Sequence, residues 1–293
     1  MKRLQSMKRE EAPDVIRLQE IVYRHDYEKL FLAEGDSWFD IRTPIDQGSN
    51  PNQPNLPGAI KTPWRTTVVD VSHSGDKAAE MASGWQADQT KAFLDRFRFD
   101  AILLSAGGND LKDAFTRAYM NAMVDAALKK GPGKAKRSID LKSKVSDDII
   151  ERVCQTIAIW IGFRDASKLN YVTPLILHGY DYFQPRPCGP RITLKGPQVM
   201  SPWIYPVLHK AGKSDRQMLE IATEKIDAFN TALKRRVGGM ANVHLLNTRG
   251  TLVAAGFGTD KPDNDFADEI HPTWGGFNKL AKAWNDKIQA VVP

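Results

Sequence analysis

A parallel α/β architecture, one sheet covered by helices on both faces, is what this 293-residue chain predicts. Three observations carry that reading. Short apolar runs of strand length recur near 30–34, 66–72, 100–105, 171–177 and 242–247, each bounded by turn residues. Stretches with apolar residues at helical spacing follow or separate them. Strands that alternate with helices build a parallel sheet, because the right-handed crossover places each helix on a sheet face. No internal repeat or interdomain linker interrupts the alternation, so residues 1–293 read as a single domain.

Ahead of the first strand, Val15, Ile16, Leu18, Ile21, Val22 and Tyr23 recur at helical spacing and Pro13 suits a first turn, which predicts a helix over 10–28. The run Lys29-Leu-Phe-Leu-Ala-Glu-Gly35 reads as a buried strand that ends at Asp36 and Ser37. Five prolines between Pro44 and Pro63, with repeated Asn and Gly, predict a long loop that walls whatever Ser37 does. The second strand, 66–72, ends at His73 and Gly75 and leads into a helix over 76–97 with Ala78, Met81, Trp85, Ala92, Phe93 and Phe97 as core contacts. The third, 100–105, delivers Gly107-Gly-Asn-Asp110, followed by a helix over 111–128.

Lys129 to Lys144 carries seven basic residues against one acid, Asp140, and reads as an exposed loop. The helix predicted over 146–167, with Ser146 as N-cap, directly precedes the fourth strand, so it is taken as the crossover and 111–144 as an insertion at the top rim. A second insertion, 182–213, holds six prolines between 185 and 206 together with Trp203, Tyr205 and His209. It reads as a substrate-covering loop or a plain surface excursion. A helix over 214–237, the fifth strand and a last helix from Thr273 complete the chain.

Composition narrows the class. Hydrophobic residues make up 42% and charged residues 26%, ordinary values for a globular protein. The net charge of +6, from 41 basic and 35 acidic residues, is small for this length. No nucleic-acid motif accompanies it, so no nucleic acid partner is expected. Cys154 and Cys188 are the only cysteines, which argues against a disulfide framework and for a reducing, cytoplasmic setting. The basic N-terminus lacks the apolar stretch of a signal peptide, and no run is long enough to span a membrane. Signal-independent export stays open. No metal or cofactor motif is visible: G-x-S-x-G, G-x-G-x-x-G and G-x-x-x-x-G-K-[ST] are all absent.

Four short blocks carry the chemistry: Gly35-Asp36-Ser37, Ser72-His-Ser-Gly75, Gly107-Gly-Asn109-Asp110 and Asp268-Glu-Ile-His271-Pro272. The first three stand at strand ends, where open α/β sheets collect their sites. Taken singly, each is as well read as a turn or a helix cap. In this order, they resemble the blocks of the SGNH (GDSL-like) hydrolases. That resemblance implies a three-layer α/β/α, flavodoxin-like fold with a central parallel five-stranded sheet. It implies an esterase or acylhydrolase in which Ser37 is the nucleophile, His271 the base and Asp268 its orienter, and needs no cofactor. The same resemblance places the oxyanion hole at the backbone N–H of Ser37, the backbone N–H of Gly75 and the side-chain amide of Asn109.

Each assignment has a physical basis. A Ser hydroxyl needs a base to take its proton, and the base needs a partner to hold one tautomer. Asp268 and His271 are three residues apart and can face one way. Asp263, Asp265 and Glu269 are nearby rivals for the orienting role, and some members of the family work as Ser–His dyads. Gly75 lets the backbone approach a substrate, and Asn109 offers two donors on a short stem. Trp38, where the family more often has an aliphatic residue, places a bulky ring beside the nucleophile. His73, His178 and Trp203 are further candidates for lining the pocket, although the two histidines could equally be satisfied polar groups at strand ends. A carboxylic ester is the expected substrate. An O-acetylated carbohydrate, a thioester, or a catalytically silent binding role are the alternatives. Lys134, Lys136 and Arg137 on one side, with Phe183, Trp203 and Tyr205 on the other, point to peripheral contact with anionic lipid.

Overall fold

A computed structural model describes residues 1–8, 27–40, 55–117, 147–191 and 197–293, the side chains of residues 5–8 and 147 excepted. The helix expected over 10–28 lies outside them apart from Tyr27 and Glu28, as do the basic loop 129–144 and most of the excursion before it.

Among the described residues, six strands form one parallel sheet. β2 (Gln5–Lys8), β3 (Lys29–Gly35), β5 (Thr66–Asp70), β6 (Ala101–Ser105), β7 (Leu175–His178) and β8 (Val243–Leu246) run in the order β2-β5-β3-β6-β7-β8. The five expected strands are all present in the flavodoxin-like order, and β2 adds an edge beside β5. The order reverses at β3, which pairs with β5 on one side and β6 on the other. A ligand site in such a sheet belongs at that switch point, above the carboxyl ends of β3 and β6. Central strands are buried on both faces, which is why β3 and β6 read as apolar runs rather than alternating patterns, while β5 is buried throughout despite Thr66, Thr67 and Asp70.

The helices form two layers. α2 (Ala78–Met81), α3 (Gly84–Arg96), α5 (Asp147–Ala166) and α7 (Asp215–Val237) pack together on one face. α8 (Trp274–Val291) covers the other with α1 (Leu56–Ala59) against it, burying Phe277, Leu280, Trp284 and Ile288. α4 (residues 108–117) follows β6 at once, and α6 (Tyr205–Lys210) is a short helix within the second insertion.

Several boundaries differ from the sequence reading, each for a physical reason. The stretch 55–62 is ordered rather than loop: Asn55 caps α1 through Gly58 N–H at 2.8 Å, and β4 (Lys61–Thr62) pairs antiparallel with β1 (Lys2–Arg3). The helix expected over 76–97 breaks at Gly84, whose φ is +56°, so Trp85 faces solvent, 62% exposed, instead of the core. The fourth strand begins at Leu175, not Tyr171, because 167–173 turns. Arg164, fully buried, ties that turn by donating to the carbonyls of Thr173, Ala241 and Asn242 at 2.8–3.0 Å. Both cysteines are buried and unbridged. Among the described residues, no helix is long and apolar enough to cross a membrane.

Candidate active site

Ser37 begins the turn that ends β3. The Asp36 carbonyl accepts from Phe39 and Asp40 N–H at 2.9 and 3.0 Å, and the Asp36 carboxylate accepts Trp38 N–H at 3.1 Å, winding the chain tightly behind Ser37. Gly35 has no room for a side chain: a Cβ there would meet the Phe39 ring at 2.9 Å. Below the turn, Asp36 is sealed in the core, where it also accepts from Ser105 Oγ at 3.0 Å and from the Tyr180 hydroxyl. Burial pushes the Asp36 carboxyl up from its ordinary range, opposed by these donors.

The other loops are laced to this turn. His73 N–H donates to Gly35 O at 2.9 Å and Ser74 N–H to the Asp40 carboxylate at 3.3 Å. The Asn109 side chain, in the first turn of α4, donates Nδ2 to Asp76 O at 3.1 Å and accepts at Oδ1 from Lys112 Nζ at 3.1 Å. Asp110 caps α2 by accepting Ala78 N–H at 2.8 Å, and burial lifts its carboxyl to about 6. Gly75 has φ +98° with nothing within 4 Å of a would-be Cβ, so this corner is backbone facing open space.

His271 arrives from the loop before α8. Its Nε2 lies 2.8 Å from Ser37 Oγ, and its Nδ1 lies 2.8 Å from Asp268 Oδ2. The other oxygen of Asp268 accepts Ile270 and His271 N–H at 2.9 and 2.8 Å, which folds the loop so that ring and carboxylate meet. Of the rival acids, Asp265 accepts Val253 N–H at 2.6 Å and pairs with Lys279 at 2.5 Å, and Asp263 accepts Gly256 N–H at 2.7 Å. Glu269 is buried facing the other way, accepting Trp203, Ile204 and Tyr205 N–H at 2.5, 3.0 and 2.6 Å. Burial lifts its carboxyl to about 7. Asp268 is thus the acid that meets His271. Such a chain can draw a proton from a serine hydroxyl while holding the imidazole in one tautomer.

Beside Ser37 lies a mainly apolar cavity whose walls include Asn109, Leu111, Phe183, Ile204, Ile226 and Ile270. Trp38 also lines it, buried, with its indole N–H on Ile270 O at 3.2 Å. Trp203 stands next to it, edge-on to the His271 ring at 5.6 Å between centroids. The two remaining histidine candidates lie elsewhere. His178 is enclosed beneath the site, stacked on Phe39 and donating to or accepting from Ser105 Oγ at 3.0 Å. Burial lowers it to about 3, so it is neutral and structural. His73 is exposed and pairs with Asp76 at 3.2 Å, outside the cavity walls.

Sequence reasoning missed Lys112 and Tyr180, both cavity-lining, and the anchoring task of Glu269. Lys112 could have been found from its place three residues after Asn109 in a helix, where i and i+3 share a face. Among the described residues, no group of three or more His, Cys, Asp or Glu is arranged to hold a metal.

No family model and no curated protein matches the chain. Its structural neighbours are SGNH hydrolases, arylesterases and lipases at low identity and near-full coverage. An arylesterase candidate from Agrobacterium tumefaciens is 13% identical, with 90% of this chain and 99% of that one covered and a TM-score of 0.46. A lipase from a goat rumen metagenome is 12% identical, covering 88% and 96%, with a TM-score of 0.47. An SGNH hydrolase candidate from Slackia heliotrinireducens is 12% identical, covering 88% and 98%, with a TM-score of 0.39.

Proposed function

We propose that the protein is a serine hydrolase that cleaves carboxylic esters through an acyl-serine. The observation that carries this reading is the hydrogen-bonded line from Ser37 Oγ through His271 to Asp268, 2.8 Å at each step. Ser37 Oγ attacks the ester carbonyl as its proton passes to His271 Nε2, and the imidazolium is stabilised by Asp268. Negative charge then develops on the former carbonyl oxygen. Asn109 Nδ2 and the backbone N–H groups of Ser37 and Gly75 are its donors in this reading. Collapse expels the alcohol, which takes the proton from His271. A water deprotonated by the same imidazole then attacks the acyl-serine, releasing the acid and restoring Ser37.

The test is labelling with a fluorophosphonate, followed by peptide mapping, together with turnover of p-nitrophenyl acetate. The wild-type protein is expected to carry the phosphonate on Ser37 and to hydrolyse the ester, and Ser37→Ala to do neither while melting at an unchanged temperature. Labelling elsewhere, or turnover that survives in Ser37→Ala, would sink the reading and leave a binding protein built on this fold.

A further inference from the structure

Resting on that reading, we propose that the site is built for acetyl-sized acyl groups. In the tetrahedral adduct, the carbon attached to Ser37 Oγ bears an oxyanion, a leaving oxygen and the acyl substituent. The oxyanion belongs toward Asn109, and the leaving oxygen must reach His271 Nε2 to be protonated. The acyl substituent takes the remaining direction. The cavity adjoins Ser37 and is not walled by His271, so it lies away from the leaving oxygen, and the acyl substituent is assigned to it.

Its size and lining set the substrate class. The cavity volume is about 20 Å³ behind an open mouth. Roughly 10–15 Å³ by that measure holds one water, so a methyl fits and a longer chain does not. Three of its walls, Leu111, Ile204 and Ile226, are apolar and 2% exposed or less, a lining that suits an uncharged acyl group. Nor is the wall loose. Ile204 N–H is fixed to Glu269 Oε2 at 3.0 Å, with both flanking N–H groups on the same carboxylate, and Ile226 sits within α7. A longer acyl group would have to displace packed side chains, since protein interiors yield little to added methylenes.

The experiment is the kcat/KM series for p-nitrophenyl acetate, butyrate, hexanoate and octanoate, with wild type, Ser37→Ala, Leu111→Ala and Ile226→Ala. Wild type is expected to favour acetate over hexanoate by roughly tenfold or more, since one methylene in a hydrophobic pocket is worth about 10–200-fold. Leu111→Ala or Ile226→Ala is expected to raise the hexanoate-to-acetate ratio about tenfold. Two wall variants on different helices are used so that one that fails to fold does not end the test. Hexanoate or octanoate turned over as well as acetate by wild type, or a ratio unmoved in a folded wall variant, would overturn the size limit. Ser37→Ala separates the two readings: loss of all turnover with a flat chain-length profile removes only the size limit, whereas surviving turnover removes the serine mechanism itself.

Discussion

The Lys112 ammonium donates to Asn109 Oδ1 at 3.1 Å while Asn109 Nδ2 donates to Asp76 O at 3.1 Å. The two contacts fix which way round the amide stands, because a flipped amide would set its NH₂ against an ammonium and its oxygen against a carbonyl. A cation on the carbonyl end also polarises the amide, strengthening Nδ2 as a donor. Lys112→Met should therefore lower kcat about tenfold with KM nearly unchanged, and Lys112→Arg should recover part of the loss. In an Asn109→Ala background, the same change should cost little more, because the amide it orients is gone. Steady-state kinetics on wild type and these four variants decide the matter. Additive losses would show that Lys112 acts independently of Asn109.

Asn109→Ala by itself should lower kcat/KM by about 10²–10³, the usual loss for one oxyanion donor. A change confined to KM would mark Asn109 as a ground-state contact only.

Asp268→Asn keeps an oxygen for the Ile270 and His271 N–H groups but can turn an NH₂ toward His271 Nδ1, which now meets a carboxylate at 2.8 Å. That arrangement would favour the tautomer with Nε2 protonated, unable to accept from Ser37 Oγ. The expected loss in kcat is about 10²–10⁴ with the melting temperature little changed. A variant that keeps most of its kcat would point to a Ser37–His271 dyad instead.

Tyr180→Phe removes one of three donors from the buried Asp36 carboxyl, leaving Ser105 Oγ and Trp38 N–H. Leaving a buried polar group short of a partner costs about 1–3 kcal/mol. Urea unfolding should show that loss, and an unchanged midpoint would mean that water or a side-chain shift replaces the hydroxyl.

The meeting of Ser37 and His271 across 234 positions could be anticipated only from the four blocks taken in order, through the family they resemble. Gly-Asp-Ser closes a strand, and Asp268 and His271 sit three apart in a turn. What stayed illegible depends on contacts between distant, unremarkable residues. His178 occupies a strand end like Ser37, but β7 runs one residue further than its apolar pattern suggests. The imidazole is thereby enclosed between Phe39 and Trp284. Lys112 reads as one more helix cation until Asn109 is seen on the same face. Glu269 looks like an alternative partner for His271 by spacing alone. Its true partners, 203–205, lie 64 or more positions away in a proline-rich stretch without period.

That same carboxyl supplies a pH signature. Glu269 is buried, and burial raises it from 4.5 to about 7 against the pull of its three N–H donors, with Asp268 nearby adding to the rise. The folded protein then holds a proton between about pH 4.5 and 7 that the unfolded chain has released. Stability from this group is full below about 4.5, falls as pH climbs toward 7, and is level above. The shift of roughly 2.5 units corresponds to about 3 kcal/mol. Other buried groups titrate in the same range, notably Asp110, so the quantity to measure is the difference between wild type and Glu269→Gln. In urea unfolding at pH 5 and pH 8, the stability advantage of wild type over the variant should shrink by about 2.5 kcal/mol at the higher pH. A difference that stays constant would mean that Glu269 titrates alike in the folded and unfolded chain, and that its three amide donors offset its burial in full.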